Sequence, residues 1–155
     1  DDLVAVGRRD GTRPTDREEA LSVWRTGMQH VVTELHRRGL AVVIVGPVPD
    51  FEGRFPRERV SVVDRDLTPP SLARERFEAE SGDVVAAERR ATGGLSGVAF
   101  VDPADSLCSR DCTTVGPDGR WWYSDGRYLN RYGGEQLTDS FTRAFRRALR
   151  LGSSG

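Results

Sequence analysis

The sequence predicts an α/β fold with a mostly parallel sheet, and three observations lead to this prediction. Short apolar runs typical of buried parallel strands occur at 3–6, 40–45 and 98–101. A helical stripe of apolar residues lies between the first two runs, and another closes the chain. Because a strand, a helix and a strand of these lengths form a right-handed βαβ unit, the pattern places the chain in the α/β class.

The first helix has clear signals at both ends. Thr15 followed by Glu18 predicts a capping box with Thr15 as the N-cap, and Gly39 is the expected residue just beyond the C-terminus. Between them the predicted inward-facing residues are Leu21, Trp24, Met28, Val31, Val32 and Leu35. The loop Gly46-Pro47-Val48-Pro49 follows the next strand, and we expect it to border a ligand cleft, since open α/β sheets bind ligands at the carboxyl ends of their strands.

The middle of the chain is less regular. Residues 51–66 are rich in arginine and fit either a lid or a plain surface excursion. Thr68-Pro69-Pro70 predicts the start of a second helix that reaches about Arg90, with a break near Ser81-Gly82-Asp83. Its predicted inward residues are Leu72, Phe77, Val84 and Val85.

The last helix is strongly amphipathic. Its predicted inward residues are Leu137, Phe141, Ala144, Phe145, Ala148 and Leu149. Its arginines fit a solvated face near the helix C-terminus better than an anion site. We expect one domain over 1–151 and a flexible tail at 152–155.

Composition excludes some classes of function. Charged residues make up 30% of the 155, yet the formal net charge is only −1, which argues against a nucleic-acid surface. All 23 basic residues are arginine, which fits either many anion contacts or a GC-rich genome. No apolar run approaches the ~18 residues of a membrane span, and no signal peptide is visible.

The cysteines and histidines do not predict a metal site. Cys108 and Cys112 are close enough for a local disulfide, and two free thiols are the alternative. A zinc site needs about four ligands, and the two histidines, His30 and His36, lie on a different predicted helix. We therefore expect neither a metal nor a cofactor.

A loop before the last helix carries the main candidates for chemistry. Asp125 and Tyr128 are three residues apart, so one turn of backbone would bring both side chains within reach of a common partner. An Asp-Gly pair is also a common turn former, so Asp125 could equally be a structural turn residue.

The same region carries a resemblance to a known family. Read together, Asp102-Pro103, Leu107-Cys108 and Cys112 followed by Tyr123, Asp125, Leu129 and Gly133 resemble the extracytoplasmic SGNH domains attached to membrane acyltransferases of the acyltransferase-3 type. The similarity extends upstream through Trp24 to Pro49. The family pattern ends in Tyr-x-Asp-x-x-His-Leu-Ser/Thr-x-x-Gly. Here Tyr128 occupies the histidine position, and Asn130 stands where Ser or Thr is usual.

The resemblance implies a fold, a site and a location. The implied fold is the flavodoxin-like three-layer α/β/α SGNH fold, and the implied chemistry is a Ser-His-Asp arrangement with Asp125 as the acid. It also favours a Cys108–Cys112 disulfide and an extracytoplasmic, bacterial location. An oxyanion hole is expected near the loop after the first run, where Gly7 and Arg8 are candidates and a plain solvated loop is the alternative.

Two departures from the family pattern bear on activity. No Gly-Asp-Ser block with the nucleophile occurs in these residues, and the run 3–6 resembles an interior strand of the family. We therefore expect either the C-terminal part of a domain or a divergent member that has lost its catalytic pair. Without its first strand, the domain should be poorly stable alone or completed by another copy. An ordinary phenol has a pKa of ~10 and is a poor general base at neutral pH, so we expect impaired or absent catalysis.

The expected function follows from the resemblance. The leading hypothesis is transfer of acyl groups, often acetyl, to hydroxyls of cell-envelope glycans, with the acyl donor delivered by a fused or associated membrane acyltransferase module. One alternative is a non-catalytic module that binds glycan or supports its membrane partner. Another is a secreted carbohydrate esterase.

Overall fold

The computed structural model describes residues 11–51 and 68–152. The predicted strand at 3–6, the oxyanion candidates Gly7 and Arg8, and nearly all of the arginine-rich region lie outside the described residues. In chain order the described elements are α1 (Arg17–Arg37), β1 (Val42–Val45), β2 (Ser71–Ala73), α2 (Arg74–Thr92), β3 (Val98–Val101), α3 (Ala104–Leu107), β4 (Asp111–Thr113), α4 (Arg131–Gln136) and α5 (Thr138–Gly152).

The strand pairing confirms the predicted α/β class. β1 and β3 pair in parallel, with Val42 opposite Val98 and Val45 opposite Val101. The backbone N–H of Gly46 donates to the carbonyl of Val101 and extends this pairing by one residue. β2 and β4 form a separate antiparallel pair.

The chain divides into two compact units. Within the described residues, the first unit comprises 11–46, 81–101 and 142–152, and the second comprises 47–51, 68–80 and 102–141.

The core of the first unit joins α1 to the parallel strands. Val32, Val42 and Val98 are buried together, and Met28, Leu35, Ile44 and Leu95 pack around them. Of the predicted inward residues of α1, Val31 is 52% exposed, so the stripe turns partly toward solvent.

The N-terminus of α1 corrects the predicted capping box. The N-cap is Asp16, one residue later than Thr15, and its Oδ1 atom accepts from the backbone N–H of Glu19 at 2.8 Å. The carboxylate of Glu19 in turn accepts from the backbone N–H and the hydroxyl of Thr15. Aspartate caps a helix at least as well as threonine, so the motif forms one position further on.

The C-terminus of α1 ends as predicted at Gly39. Gly39 has a φ of +75°, a left-handed conformation that glycine adopts without steric cost. Its N–H donates to the carbonyl of His36, and the N–H of Leu40 donates to the carbonyl of Leu35. These two bonds form a Schellman motif, which satisfies carbonyls that the helix end would leave open.

The predicted start of the second helix is wrong. Ser71–Ala73 forms β2, in which Leu72 lies opposite Cys112, and α2 begins only at Arg74. The carbonyl of Pro70 accepts from the backbone N–H and the hydroxyl of Thr114, so the segment after the prolines is held extended. α2 also runs unbroken through Ser81-Gly82-Asp83, contrary to the predicted break.

The core of the second unit surrounds the cystine. It is formed by Phe51, Leu72, Phe77, Ala104, Leu107, Cys108, Cys112, Trp122, Tyr123 and Leu137. Leu72 therefore faces inward as predicted, although it does so from a strand.

The predicted stripe of α5 is only partly buried. Ala144 and Ala148 are buried, whereas Phe145 is 51% exposed and Leu149 is 60% exposed. Both were expected to face inward, and that prediction is wrong in the described part of the chain. None of the described helices is both long enough and apolar enough to cross a membrane.

Candidate functional site

The Asp125 loop, residues 123–130, is closed by short backbone contacts. Tyr123 and Leu129 face each other in an isolated antiparallel bridge. Inside that bridge the backbone N–H of Ser124 donates to the carbonyl of Tyr128 at 2.8 Å. Gly126 turns the chain with a φ of +93°, a conformation that favours glycine. The loop therefore has a defined backbone on which side chains can be held in place.

The carboxylate of Asp125 organises the turn. Its Oδ1 atom accepts from the backbone N–H groups of Arg127 and Tyr128, each at 3.0 Å. These bonds, first that of Tyr128, and then the positive charge of Arg127 hold the pKa of the Asp125 carboxyl below its usual range. The carboxylate is exposed and stays ionised at neutral pH. The turn-forming alternative raised from the sequence therefore describes part of what this residue does.

Tyr128 lies beside Asp125 as the spacing predicted, but the contact is made by its backbone. The side chain of Tyr128 is 68% exposed. Because the hydrogen bond uses the backbone N–H, the identity of side chain 128 is free to change without removing it. The exposed Tyr128 side chain and the ionised carboxylate of Asp125 thus leave the same turn.

The segment that follows the first parallel strand braces the Asp125 loop. The backbone N–H of Phe51 donates to the carbonyl of Gly126 at 2.8 Å. Nε of Arg127 lies 3.2 Å from Oδ2 of Asp50, in an ion pair that is about half exposed. The Phe51 ring, which is fully buried, meets the Tyr123 ring edge to face with centroids 5.1 Å apart. Three kinds of contact thus fix the loop against residues 50 and 51.

The hydroxyl of Tyr123 sits inside this packing. Burial first, and then the negative charge of Asp50, raise the pKa of the Tyr123 hydroxyl, so it remains neutral. Among the residues that the structure describes, no hydrogen-bond partner faces this oxygen.

Asn130 connects the loop to α4. Its Oδ1 atom accepts from the backbone N–H groups of Tyr132 and Gly133 and caps the helix. Its amide nitrogen donates to the carbonyl of Trp121 at 2.7 Å and, more weakly, to that of Tyr123 at 3.4 Å. A serine or threonine at this position would provide the cap but would lack the amide donor. The asparagine departs from the family pattern, and its amide nitrogen makes a hydrogen bond that serine or threonine could not make.

Gly133 lets α4 approach the aromatic run closely. A Cβ atom at this position would lie 2.2 Å from the carbonyl oxygen of Trp122 and 2.8 Å from a methyl group of Leu129. That same carbonyl of Trp122 accepts from the backbone N–H of Asn130. At the neighbouring Gly134 a Cβ atom would meet no other atom within 4 Å, so the requirement is specific to 133.

The predicted disulfide between Cys108 and Cys112 is present. The S–S distance is 2.07 Å, and both residues are buried. Asp102 lies two residues before the short helix α3, and its Oδ1 atom accepts from the backbone N–H of Ala104 at 3.1 Å. The Asp-Pro and Leu-Cys motifs thus lie at the two ends of one short helix, next to the disulfide in the second unit.

The structure brings together only some of the predicted site residues. Asp125 and Tyr128 share one turn, whereas Gly7 and Arg8 lie outside the described residues. Sequence reasoning missed the roles of Asn130 as a two-sided link and of Gly126 as the acceptor for Phe51. Asparagine before a helix is a recognised capping signal, so the first could have been found. No group of three or more His, Cys, Asp or Glu side chains placed to hold a metal ion occurs in the described ranges.

Comparison with known families gives one match. The family described as "SGNH domain (fused to AT3 domains)" matches residues 1–143, which include the Asp125 loop and both cysteines. The search of curated proteins and the search of solved structures found no match. The parallel β1–β3 pair flanked by helices is consistent with the flavodoxin-like SGNH fold. Since the match covers most of the chain, this protein belongs to the family of SGNH domains that are fused to AT3 acyltransferase domains.

Proposed function

We propose that this domain serves an acyltransferase that acylates hydroxyls of cell-envelope glycans, and that it is catalytically impaired because Tyr128 occupies the place of the general base. The family match supports a hydrolase- or acyltransferase-like domain with an AT3 membrane acyltransferase as its partner. The glycan acceptor, the acetyl group and the state of the catalyst belong to the proposal.

One observation gives the main support for this proposed function. Oδ1 of Asp125 lies 3.0 Å from the backbone nitrogen of residue 128, so the acid and the side chain at 128 leave the same turn. In a Ser-His-Asp arrangement the acid orients the imidazole, and the imidazole takes the proton of the nucleophilic serine. Asp125 has the properties of such an acid, since its lowered pKa keeps it ionised at neutral pH.

The side chain at 128 does not provide the general base that the Ser-His-Asp mechanism needs. A phenol is a poor general base and does not replace an imidazole in taking the proton of a serine hydroxyl. Members of a catalytic triad act as a unit, so loss of the base alone removes most of the rate. Asp125 is then left with the turn-forming role that its two backbone contacts provide.

The proposed location is extracytoplasmic. The Cys108–Cys112 disulfide supports it, since disulfides persist mainly in oxidising compartments. There the AT3 partner would supply the acyl donor, and the glycan would supply the acceptor hydroxyl.

A second candidate is a non-catalytic glycan-binding module. Two exposed aromatic rings favour it, Tyr128 at 68% and Tyr132 at 42%. The guanidinium of Arg120 lies 5.0 Å from the centroid of the Tyr132 ring, so the surroundings of this ring are polar as well as aromatic. Amphipathic rings of this kind are suited to binding surfaces that are partly wet.

Two experiments separate these candidates. Gain of p-nitrophenyl acetate hydrolysis in a Tyr128→His variant supports the impaired catalyst. If instead every variant is inert, and purified envelope polysaccharide is retained by the parent protein but not by Tyr128→Ala, the binding module is the better account.

A further inference from the structure

Helix α5 carries a surface that the proposed function does not use. At 3.6 residues per turn, residues four apart lie almost above one another, so the helix presents successive lines of side chains. One line is buried, the next is apolar and exposed, and the remaining two are basic. In that order the lines are Ala144 and Ala148, then Phe145 and Leu149, then Arg146 and Arg150, then Arg143 and Arg147.

The apolar line is continuous. Phe145 is 51% exposed and Leu149 is 60% exposed, although both side chains are large and lie on successive turns. Single exposed apolar residues are ordinary on protein surfaces. Phe145 and Leu149, however, lie on successive turns beside the buried alanines. Together they form an exposed apolar strip that continues the buried apolar face of the helix.

One border of this strip is basic, since the line of Arg146 and Arg150 comes next around the helix. Residues 138–150 contain four arginines and one acidic residue, Asp139, so the segment has a formal charge of 4 − 1 = +3. The whole chain has a net charge of −1, so the rest of it carries −1 − 3 = −4. Positive charge is therefore concentrated on α5 in an otherwise acidic chain.

We propose that α5 docks on an anionic lipid bilayer, with Phe145 and Leu149 entering the boundary between headgroups and acyl chains. Amphipathic helices with a basic polar face and Phe or Leu on the other face bind membranes in this interfacial position. Arginine can lay its aliphatic stem along apolar surface while its guanidinium contacts a lipid phosphate. An AT3 membrane acyltransferase partner would bring such a surface close to this domain.

The arginines of α5 favour an anionic bilayer over a second copy of the chain as the partner of this surface. If two copies met antiparallel through their apolar strips, the line of Arg146 and Arg150 beside each strip would face the same line of the other copy, and the two would repel. An anionic surface instead attracts the same arginines, each of which adds binding free energy near a charged leaflet.

The test is flotation of the purified chain with lipid vesicles. One set contains phosphatidylglycerol and phosphatidylcholine, and the other contains phosphatidylcholine alone. The variants are Phe145→Ser/Leu149→Ser and Arg146→Gln/Arg150→Gln. The matched controls are Leu40→Ser, which alters an apolar residue that is 50% exposed outside α5, and Arg76→Gln/Arg131→Gln, which removes two exposed charges elsewhere. Circular dichroism melts establish that each variant is folded.

We expect the parent chain to float with the anionic vesicles only and to be released by about 0.5 M salt, as screening requires. Partitioning should fall about fivefold for each arginine removed from α5 and at least about tenfold in the double serine variant. The controls should bind as the parent does. The proposal is overturned if the parent binds neither vesicle, if binding does not depend on salt, or if the control variants lower binding as much as the α5 variants do. It is also overturned if the parent is a dimer that the serine variant converts to monomer while vesicles are not bound.

Discussion

Oδ1 of Asp125 lies 3.0 Å from the backbone nitrogen of Tyr128, and this hydrogen bond places an ionised carboxylate and the residue-128 side chain on one turn. The bond does not involve the phenol, which is 68% exposed. Substitution at 128 should therefore change the chemistry of the site while leaving the loop intact. This separation makes the proposed impairment testable without a loss of fold.

The lowered pKa of Asp125 predicts a specific pH dependence of stability. Because its folded-state pKa lies below the unfolded value of ~3.9, the stabilisation is present above that value and is lost as the pH falls through the folded pKa. In Asp125→Asn the amide oxygen can still accept the backbone bonds, but the charge is gone. Urea unfolding should show the parent more stable than Asp125→Asn at pH 7, with the difference closing below about pH 4. A difference that is constant from pH 7 to pH 2 would contradict this.

Gly133 should tolerate no side chain. In Gly133→Ala the new methyl group would meet the carbonyl oxygen of Trp122, so the backbone of α4 or of the aromatic run must shift. We expect a loss of about 3 kcal/mol in the free energy of unfolding, measured by urea denaturation.

The neighbouring glycine is the matched control for that experiment. Gly134→Ala lies in the same helix with open space at the Cβ position, so it should be neutral or stabilising by up to about 1 kcal/mol. Equal effects of the two substitutions would show that α4 does not pass so close to Trp122.

Asn130 should contribute through both ends of its amide. Asn130→Ser keeps a capping oxygen for α4 but loses the bond to the carbonyl of Trp121, whereas Asn130→Ala loses both. We expect stability in the order Asn, Ser, Ala, with a total loss of about 2 kcal/mol for alanine by thermal unfolding. If serine proves as stable as asparagine, the bond to Trp121 contributes nothing.

The disulfide should stabilise the second unit measurably. A bridge that closes five residues restricts the unfolded chain by about 2 kcal/mol, so Cys108→Ala/Cys112→Ala should lose roughly that amount. Reductant should lower the melting temperature of the parent and leave that of the double variant unchanged. A parent that is insensitive to a reductant shown by thiol titration to open the bridge would contradict the prediction.

Local signals in the sequence were sufficient for much of the fold. Residues close in sequence specify the apolar runs of β1 and β3, the end of α1 at Gly39 and the disulfide. β2 escaped prediction because its three residues form no apolar run and carry no strong periodicity, and it is held extended by pairing with β4.

The candidate site likewise has features that depend on local sequence and features that depend on tertiary contacts. Asp125 and Tyr128 share a turn through the backbone N–H of Tyr128, and the prediction that their side chains reach a common partner stays a prediction. The bond from Phe51 to Gly126 and the close approach of Gly133 to Trp122 depend on the tertiary arrangement, and no pattern of residue types specifies them. The exposure of Phe145 and Leu149 likewise could not be predicted from the apolar pattern of the helix. That pattern shows which side chains share a face, but not whether another element covers that face.

In the proposed function, position 128 holds a disabled base. The decisive measurement is p-nitrophenyl acetate hydrolysis by the protein together with any upstream region that its gene encodes, as the parent, Tyr128→His, Tyr128→His/Asp125→Asn and the control Tyr132→His. We predict no activity above background in the parent and in Tyr132→His. In Tyr128→His the rate should gain at least about a hundredfold and rise with pH through the ordinary histidine pKa of about 6.5, and most of it should be lost when Asp125 is also replaced. Activity already present with Tyr128, an equal gain in Tyr132→His, or a folded but silent Tyr128→His variant would show that the phenol at 128 is not what impairs catalysis.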